Sequence, residues 1–148
     1  MTTPNWLLLA HPAFLSQLDA SRFKINAAKD KAGSALLSNF AVKRHFALVR
    51  QITERIPQNP SSTEFRLGNT LGPKYKLWFR AKFLQQYRIF FRYSSMRNIL
   101  VYGWVNDENT LRSYGSKTDA YVVFKKMLES GKVPNSWDEL IAESKRPS

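Results

Sequence analysis

Two neighbouring segments with strictly alternating side chains constrain the fold of this chain more than any other feature. In residues 77–83 and 87–93, every odd position carries an apolar or aromatic side chain. A period of two is typical of β-strands that bury one face. The pattern therefore predicts two strands with one apolar face and one cationic face. Four of the six even positions are cations: Arg80, Lys82, Arg88 and Arg92.

If these two strands form a hairpin, their register depends on whether the connecting loop has an odd or an even number of residues. Both apolar faces reach one core only when the connecting loop has an odd number of residues, for example 84–86. Lys82 would then lie directly opposite Arg88, and like charges at opposed positions destabilise a sheet. We therefore expect this face to tolerate repulsion because it serves a binding site.

The distribution of charge indicates the kind of partner. Residues 65–106 contain eight cations and eleven aromatic residues but no acidic side chain, in a chain of 148 residues with a formal net charge of +12. Such a concentrated positive field opposes folding through self-repulsion, and it attracts polyanions. The basic segment therefore indicates a partner that carries phosphate.

The first half of the chain predicts one strand and two helices. The apolar segment 6–10 is too short for a signal peptide or a membrane span, so we interpret it as a buried strand. A first helix follows it and ends in a connector at residues 29–34. A second helix is expected from about Ala35 to Arg55, with Ser34 as its N-cap and Pro57 ending it.

The second half completes an α+β domain. Residues 98–105 predict a third strand, more fully buried than the other two. Asp119 and Gly131 have the residue types of an N-cap and a C-cap, and a short helix is expected at 137–143. We predict a single domain over residues 1–148, with a frayed tail at 144–148. Its element order is β-α-α-β-β-β-α, with helices against a small antiparallel sheet.

The inventory of reactive side chains restricts the chemistry. The chain has no cysteine and only two histidines, both outside the basic segment. It has no metal-binding spacing such as HExxH, so we expect no metal and no cofactor. Arginine, lysine and tyrosine are plentiful instead, which favours electrostatic stabilisation of a phosphate over strong acid–base catalysis.

Three blocks of sequence give the chain a resemblance to a known family, from about Ala10 to Trp137. The chain resembles the YhaV-type toxins of bacterial toxin–antitoxin systems, within the RelE-like superfamily. The most specific block runs from Gly103 to Tyr121 and is long and unusual in composition. The other blocks are residues 59–62 with Phe65-Arg66 and Gly68, and Tyr87-Arg88 with residues 90–94.

The resemblance implies a function and partners. Such toxins are endoribonucleases that cut messenger RNA, and related toxins do so largely on the ribosome. They are neutralised by a cognate antitoxin, here expected to be of the PrlF type. The implied fold is a RelE-like small antiparallel sheet flanked by helices, and the implied location is the cytoplasm, without a membrane partner.

Several residues become candidates for the site once the resemblance is added. Arg88 falls where related toxins keep a sheet arginine that contacts the phosphate. Either Tyr114 or Tyr121 could move a proton or stack on a base, and the sequence leaves the choice open. The candidate catalytic residues are Arg88, Lys82, Arg112, Tyr114 and Tyr121. The candidate RNA-binding residues are Arg80, Arg92, Lys74, Lys76, Lys117 and Trp104, although a tryptophan such as Trp104 could also belong to the core.

Two other functions compete with a ribonuclease. A non-catalytic domain that binds RNA or the ribosome could use the same basic surface. A DNA-binding regulator is the third possibility, but no recognition-helix pattern is present. The second helix is itself cationic, and it could extend an RNA surface or bind an acidic segment of the antitoxin. Its cations are Lys43, Arg44, Arg50 and Arg55.

Overall fold

A four-stranded sheet with helices on both faces forms the centre of the structure. The computed structural model describes residues 5–32 and 39–147. The strands are β1 (Leu7–Ala10), β2 (Phe79–Phe83), β3 (Tyr87–Ser94) and β4 (Ile99–Val105), in the sheet order β1-β4-β3-β2. The helices are α1 (Pro12–Ala32), α2 (Phe40–Arg50), α3 (Ile56–Gln58), α4 (Ala120–Ser130) and α5 (Trp137–Glu143). The predicted α+β class is confirmed.

The edge strand β1 departs from the antiparallel arrangement that we predicted. It pairs in parallel with β4, with Leu7 opposite Ile99, whereas the β2–β3 and β3–β4 pairs are antiparallel. The backbone of Ala10 also forms two hydrogen bonds with that of Lys145, of 2.7 and 2.9 Å. The predicted fraying of the tail is therefore wrong at Lys145, which is held at the edge of the sheet.

The β2–β3 hairpin has the predicted register. Lys82 lies opposite Arg88, and the loop consists of residues 84–86. Leu84 and Gln85 both have positive φ angles, of 45° and 65°. Residues other than glycine adopt this left-handed conformation only rarely, so the loop is locally strained.

The face of the sheet made by the odd positions of β2 and β3 packs against α1 and α2. Phe91 and Tyr102 of the sheet meet Phe14 of α1 and Leu48 of α2 in one buried cluster. The Tyr102 hydroxyl donates a hydrogen bond to the Ile52 carbonyl at 2.6 Å, and burial raises the pKa of this phenol well above its usual value. This face is the apolar face that the alternation predicted.

The opposite face is only partly cationic, which corrects our expectation of an open cationic surface. Helix α4 covers it through Phe124, whose ring stacks on Phe90 with 4.3 Å between ring centroids. Trp104 and Trp78 are buried in the same cluster. The aromatic side chains at even positions supply enough apolar area to hold a helix on this face, so only its cationic end remains for a site.

Close packing on this second face explains the glycine within β4. The ring of Trp78 occupies the place where a side chain at position 103 would lie, because a Cβ added to Gly103 would stand 2.6 Å from Trp78 Cζ3. Real Cβ atoms do not approach other atoms so closely. Gly103 is therefore required by the neighbouring indole ring rather than by its backbone conformation.

The helical segments differ from the prediction at their boundaries. Helix α1 continues through residues 29–32, where we predicted a connector, and the predicted Ser34 cap lies outside the described residues. Helix α2 begins after Asn39, whose side chain accepts a hydrogen bond from the Ala41 N–H at 2.9 Å. A π-helical turn at 51–55 leads into α3. Pro57 lies in the first turn of α3, where its missing N–H is tolerated, so it does not end the helix there.

The boundaries of α4 are as predicted. Asp119 is the N-cap and accepts a hydrogen bond from the Tyr121 N–H, whereas Gly131 is the C-cap in the left-handed conformation. This cap fixes the position of Tyr121 in the first turn of the helix. Within the described residues, no helix has the length and apolar character needed to cross a membrane.

Candidate active site

Tyr121 is the centre of a cluster of arginines at the loop end of the β2–β3 hairpin. Its hydroxyl oxygen accepts hydrogen bonds from Nε of Arg80 and from Nε of Arg88, each with a length of 3.0 Å. The side chain is 8% exposed. Both acceptor positions of the phenol are thus occupied by guanidinium groups, and its own O–H hydrogen has no acceptor among the described residues.

Arg88 is held rigidly although it carries a charge in a buried place. It is 7% exposed, and its Nη1 donates to the carbonyls of Gln85 at 2.7 Å and Tyr87 at 2.9 Å. Its Nη2 has no hydrogen-bond partner in the described part of the chain and is not completely buried. One edge of this guanidinium is therefore fixed by the protein, and the other is open to an anion.

Arg80 repeats this arrangement on the neighbouring strand. Its Nη1 donates to the carbonyls of Glu64 at 3.2 Å and Arg66 at 2.8 Å, while its Nε donates to Tyr121. Its Nη2 likewise lacks a hydrogen-bond partner within residues 5–32 and 39–147. Two guanidinium groups therefore flank one hydroxyl, and each has donors to spare.

A third arginine reaches the cluster from the loop before α4. Nη1 of Arg112 lies 2.5 Å from Oδ1 of Asp119, and the guanidinium carbon lies 4.9 Å from the centre of the Tyr121 ring. Partial burial by itself lowers the pKa of Arg112, but the hydrogen bond and the charge of Asp119 outweigh it, so the pKa is raised above its usual value. Arg112 is therefore a permanent cation.

Tyr114 is an exposed ring beside this third arginine. The guanidinium carbon of Arg112 lies 4.1 Å from the centre of the Tyr114 ring, and the tyrosine itself is 93% exposed. An exposed aromatic ring next to a cation is suited to stacking on a base. The structure thus gives the two tyrosines different surroundings, although the sequence left them equivalent.

Asn106 fastens the loop of Arg112 to the hairpin, and sequence reasoning missed it. It is fully buried; its side chain accepts from the Arg88 N–H at 2.7 Å and donates to the carbonyls of Gln86 at 3.0 Å and Thr110 at 2.9 Å. The Arg112 N–H also donates to the Gln86 carbonyl, at 2.9 Å. The sequence signals at Asn106 were the polar run that follows β4 and the family block from Gly103 to Tyr121, and neither reveals these distant partners.

Asp119 was predicted only as a helix cap, yet it serves the site directly. It is buried; Oδ1 accepts from Arg112 and from the Ser113 N–H at 2.7 Å, while Oδ2 accepts from the Tyr121 N–H at 3.0 Å. One carboxylate therefore orients both Arg112 and the turn that carries Tyr121. Arg80, Arg88 and Arg112 against this single carboxylate leave the cluster with an excess of positive charge.

Two predicted lysines lie at the border of the cluster. Lys82 is exposed, and it lies opposite Arg88 and two positions beyond Arg80, so it shares their face of the sheet. Lys117 is exposed in the loop between Arg112 and α4. Neither lysine has a hydrogen bond or ion pair among the described residues, so both remain available to a polyanion.

Two other predicted RNA-binding residues, Arg92 and Trp104, lie among buried side chains outside the contacts of Tyr121. Arg92 is buried; its Nη1 donates to the Asn135 carbonyl at 2.5 Å, and burial lowers its pKa. Trp104 is also buried, and its ring is parallel to that of Phe124 in the core. The aromatic packing that seats α4 and α5 encloses most of both side chains, and neither of them makes a contact with Tyr121 or its arginines.

Lys74 and Lys76 are exposed but lie away from the arginine–tyrosine cluster. Lys74 lines a shallow pocket with Lys125, and Lys76 lines another with Arg66 and Trp78. Neither contacts a residue that surrounds Tyr121. Within the described residues there is also no group of three or more histidine or acidic side chains that could hold a metal ion.

Comparison with known proteins identifies the family. The model of a family of toxins with endonuclease activity, of toxin–antitoxin systems, matches residues 8–145. The chain belongs to the YhaV toxin family. As a YhaV-family toxin it has endonuclease activity and an antitoxin as its partner, which decides between the enzymatic and the non-catalytic interpretations of the sequence.

Curated relatives agree with this family. The chain is 45% identical over 142 residues to the toxin YhaV of Escherichia coli O6:H1 (strain CFT073). It is 44% identical over the same length to the ribonuclease toxin YhaV of Escherichia coli K12. Each alignment covers 95% of this chain and 92% of the relative. No solved structure matches the chain.

Proposed function

We propose that this YhaV-family toxin is an endoribonuclease that cuts messenger RNA at the arginine–tyrosine cluster. The observation that carries the proposal is the Tyr121 hydroxyl between Nε of Arg80 and Nε of Arg88. The relative from Escherichia coli K12 is a ribonuclease toxin, which supports RNA as the substrate. The chemistry is an attack of the ribose 2′-hydroxyl on the adjacent phosphorus.

The arginines hold the scissile phosphate in this proposal. The free Nη2 groups of Arg80 and Arg88 donate to its non-bridging oxygens, where negative charge increases in the transition state. Their other nitrogens are fixed by backbone carbonyls and by Tyr121, so little reorganisation is needed during the reaction. Lys82, opposite Arg88, adds a mobile positive charge at the open edge of the sheet.

Tyr121 is the proton donor to the leaving group. Its oxygen already accepts two hydrogen bonds, so its own hydrogen is directed to a substrate oxygen. The bond from the 2′-oxygen to phosphorus forms while the bond from phosphorus to the 5′-oxygen breaks. The 2′-hydroxyl proton passes to water, and the 5′-oxygen receives the Tyr121 proton, which water then replaces. The products are a 2′,3′-cyclic phosphate and a 5′-hydroxyl.

The loop before α4 holds the neighbouring nucleotide. Tyr114 stacks on its base, and Arg112 and Lys117 bind its phosphates. Asp119 keeps Arg112 in place through the 2.5 Å contact. Base stacking tolerates many sequences, so this part of the site positions the chain more than it selects a base.

The wider setting of the reaction follows from the family resemblance. We extend the proposal to cleavage of mRNA on the ribosome in the cytoplasm, with neutralisation by an antitoxin of the PrlF type. A ribosome brings ribosomal RNA and mRNA together, and the positive charge of the cluster suits such a surface.

The proposal is tested by incubating the purified protein with RNA, with and without ribosomes, in the presence and absence of a chelator. We expect cleavage with cyclic phosphate ends, and a loss of about 10²–10³ in rate for Arg88→Ala with RNA binding retained. Arg97→Ala is the matched control, because Arg97 is an exposed arginine in the turn at the opposite end of β3. Intact RNA under every condition would exclude the proposed activity.

A further inference from the structure

A groove between α2 and the edge strand β2 is a second candidate surface, which shares Lys82 with the border of the arginine–tyrosine cluster. We call it the α2–β2 groove; it has a volume of about 680 Å³, and Phe46, Gln51, Lys82 and Leu84 are among the residues that line it. Strand β2 is the last strand of the sheet; apart from a single bridge between Phe79 and Arg66, no further strand of the described residues pairs with it. We propose that the α2–β2 groove binds an acidic, amphipathic segment of the cognate antitoxin.

Apolar side chains remain exposed in the α2–β2 groove. Phe46 is 60% exposed on α2, and Leu84 stands opposite it in the hairpin loop with 41% of its surface exposed. Two large apolar side chains on either wall of one groove favour an apolar ligand side chain between them. An RNA backbone offers no such group, whereas an amphipathic peptide does.

Gln51 provides a second, independent indication of a ligand. Its side chain is nine-tenths buried in the α2–β2 groove, and Oε1 has no hydrogen-bond partner within the described residues. A buried acceptor without a donor is costly, so a ligand that brings an N–H is favoured once the Gln51 side chain turns its buried Oε1 towards the groove. A peptide supplies N–H donors at regular intervals along its backbone.

The charges of the groove favour an acidic peptide. Three cations and one carboxylate line it: Arg50, Arg55, Lys82 and Glu54. Arg50 pairs weakly with Glu54 at 3.5 Å, and Arg55 pairs with Glu64 at 2.7 Å, but Lys82 has no ion-pair partner among the described residues. An acidic side chain beside Lys82 would complete the pairing.

Occupation of the groove also explains how an antitoxin neutralises the toxin. Lys82 lies both in the groove and opposite Arg88 of the proposed active site. A carboxylate bound there removes one cation from the RNA surface and repels the phosphates of the substrate. Binding of the antitoxin to the groove requires only that the toxin has an antitoxin, as its family does. The inhibition of RNA cleavage by that binding rests on the proposed function. Binding and cleavage are therefore measured separately.

The test measures the Kd of the purified cognate antitoxin for the full-length toxin by calorimetry. Phe46→Asp and Leu84→Asp each place a negative charge on an apolar wall of the groove. We expect each to raise the Kd at least about tenfold, as for a central interface contact. Aspartate adopts a positive φ more readily than leucine, so Leu84→Asp is compatible with the loop. The matched control is Phe23→Asp, because Phe23 is exposed on α1 outside the groove.

A second measurement separates this proposal from the ribonuclease proposal. The free Phe46→Asp and Leu84→Asp toxins should cut RNA at the wild-type rate and should need proportionally more antitoxin for inhibition. If thermal unfolding shows that either variant is misfolded, the exposed Arg50→Glu decides the matter by the same assays. An unchanged antitoxin Kd in the groove variants overturns the proposal. A loss of RNA affinity with an unchanged antitoxin Kd overturns it as well and assigns the groove to RNA.

Discussion

Replacing Tyr121 by phenylalanine removes the one atom that joins Arg80 to Arg88. The ring and its packing on Phe90 are kept, but two hydrogen bonds from guanidinium groups are lost. A hydrogen bond to a charged group contributes roughly 1.5–3 kcal/mol. Arg88 is buried, so no water replaces its lost hydrogen bond, whereas water can replace part of the bond lost by the half-buried Arg80. We expect Tyr121→Phe to lower the free energy of unfolding by about 2–4 kcal/mol.

The same substitution should slow RNA cleavage by about 10²–10⁴, the usual contribution of a general acid. The decisive assay uses an RNA in which sulfur replaces the bridging 5′-oxygen at the cleavage site. A thiol has a pKa of about 8.5, so a thiolate leaves without being protonated. Tyr121→Phe should therefore cut the sulfur-containing RNA at nearly the wild-type rate, whereas Arg88→Ala should remain slow on both RNAs.

Tyr93→Phe is the matched control for Tyr121→Phe, because Tyr93 lies at the other end of β3 beside Phe79 and Trp6. Its cleavage of both RNAs should equal that of the wild type. If Tyr121→Phe cuts the sulfur-containing RNA as poorly as the natural RNA, Tyr121 does not donate the proton. Its role would then be limited to holding the two arginines in position.

Three further substitutions test other parts of the structure. Asp119→Asn keeps a good N-cap for α4 but removes the negative charge that holds Arg112. The rate of RNA cleavage should fall about tenfold to hundredfold, while circular dichroism should show that α4 is intact. An unchanged cleavage rate would contradict this role of Asp119. Gly103→Ala forces a Cβ against the Trp78 ring and should lower the free energy of unfolding, measured by urea titration, by about 1–3 kcal/mol. An unaltered urea midpoint would show that the indole ring can move aside. Burial and two nearby arginines lower the pKa of His45, so the unfolded chain binds the proton more tightly and stability should decrease as the pH falls below about 6.5. His45→Gln should reduce this decrease between pH 7.5 and 5.5, and an equal decrease in both proteins would refute the assignment.

The sequence was most informative where structure depends on neighbouring residues. Parity alone placed Lys82 opposite Arg88, because side chains alternate along a strand and the loop length fixes the register. The ends of α4 were predicted from Asp119 and Gly131, because capping is decided by one side chain and one backbone conformation. These predictions needed no knowledge of distant contacts.

The sequence was least informative where distant segments meet. It did not reveal the parallel pairing of β1 with β4, because that pairing depends on residues far apart in the chain. It also presented Arg92 as a surface cation, whereas α5 and its preceding loop cover it. Asn106 looked like an ordinary loop residue, since only the folded chain brings Arg88 and Gln86 to its side chain.

The parallel pairing of β1 with β4 bears on how this toxin is made. The first strand leaves the translating ribosome long before its partner, since Leu7 must wait for Ile99, and closing so long a segment delays folding. The Tyr121 hydroxyl, which we propose as the proton donor, is synthesised later still. A nascent chain therefore carries the strand arginines before the proposed active site is complete, and it should become able to cut RNA only when the polypeptide is nearly finished.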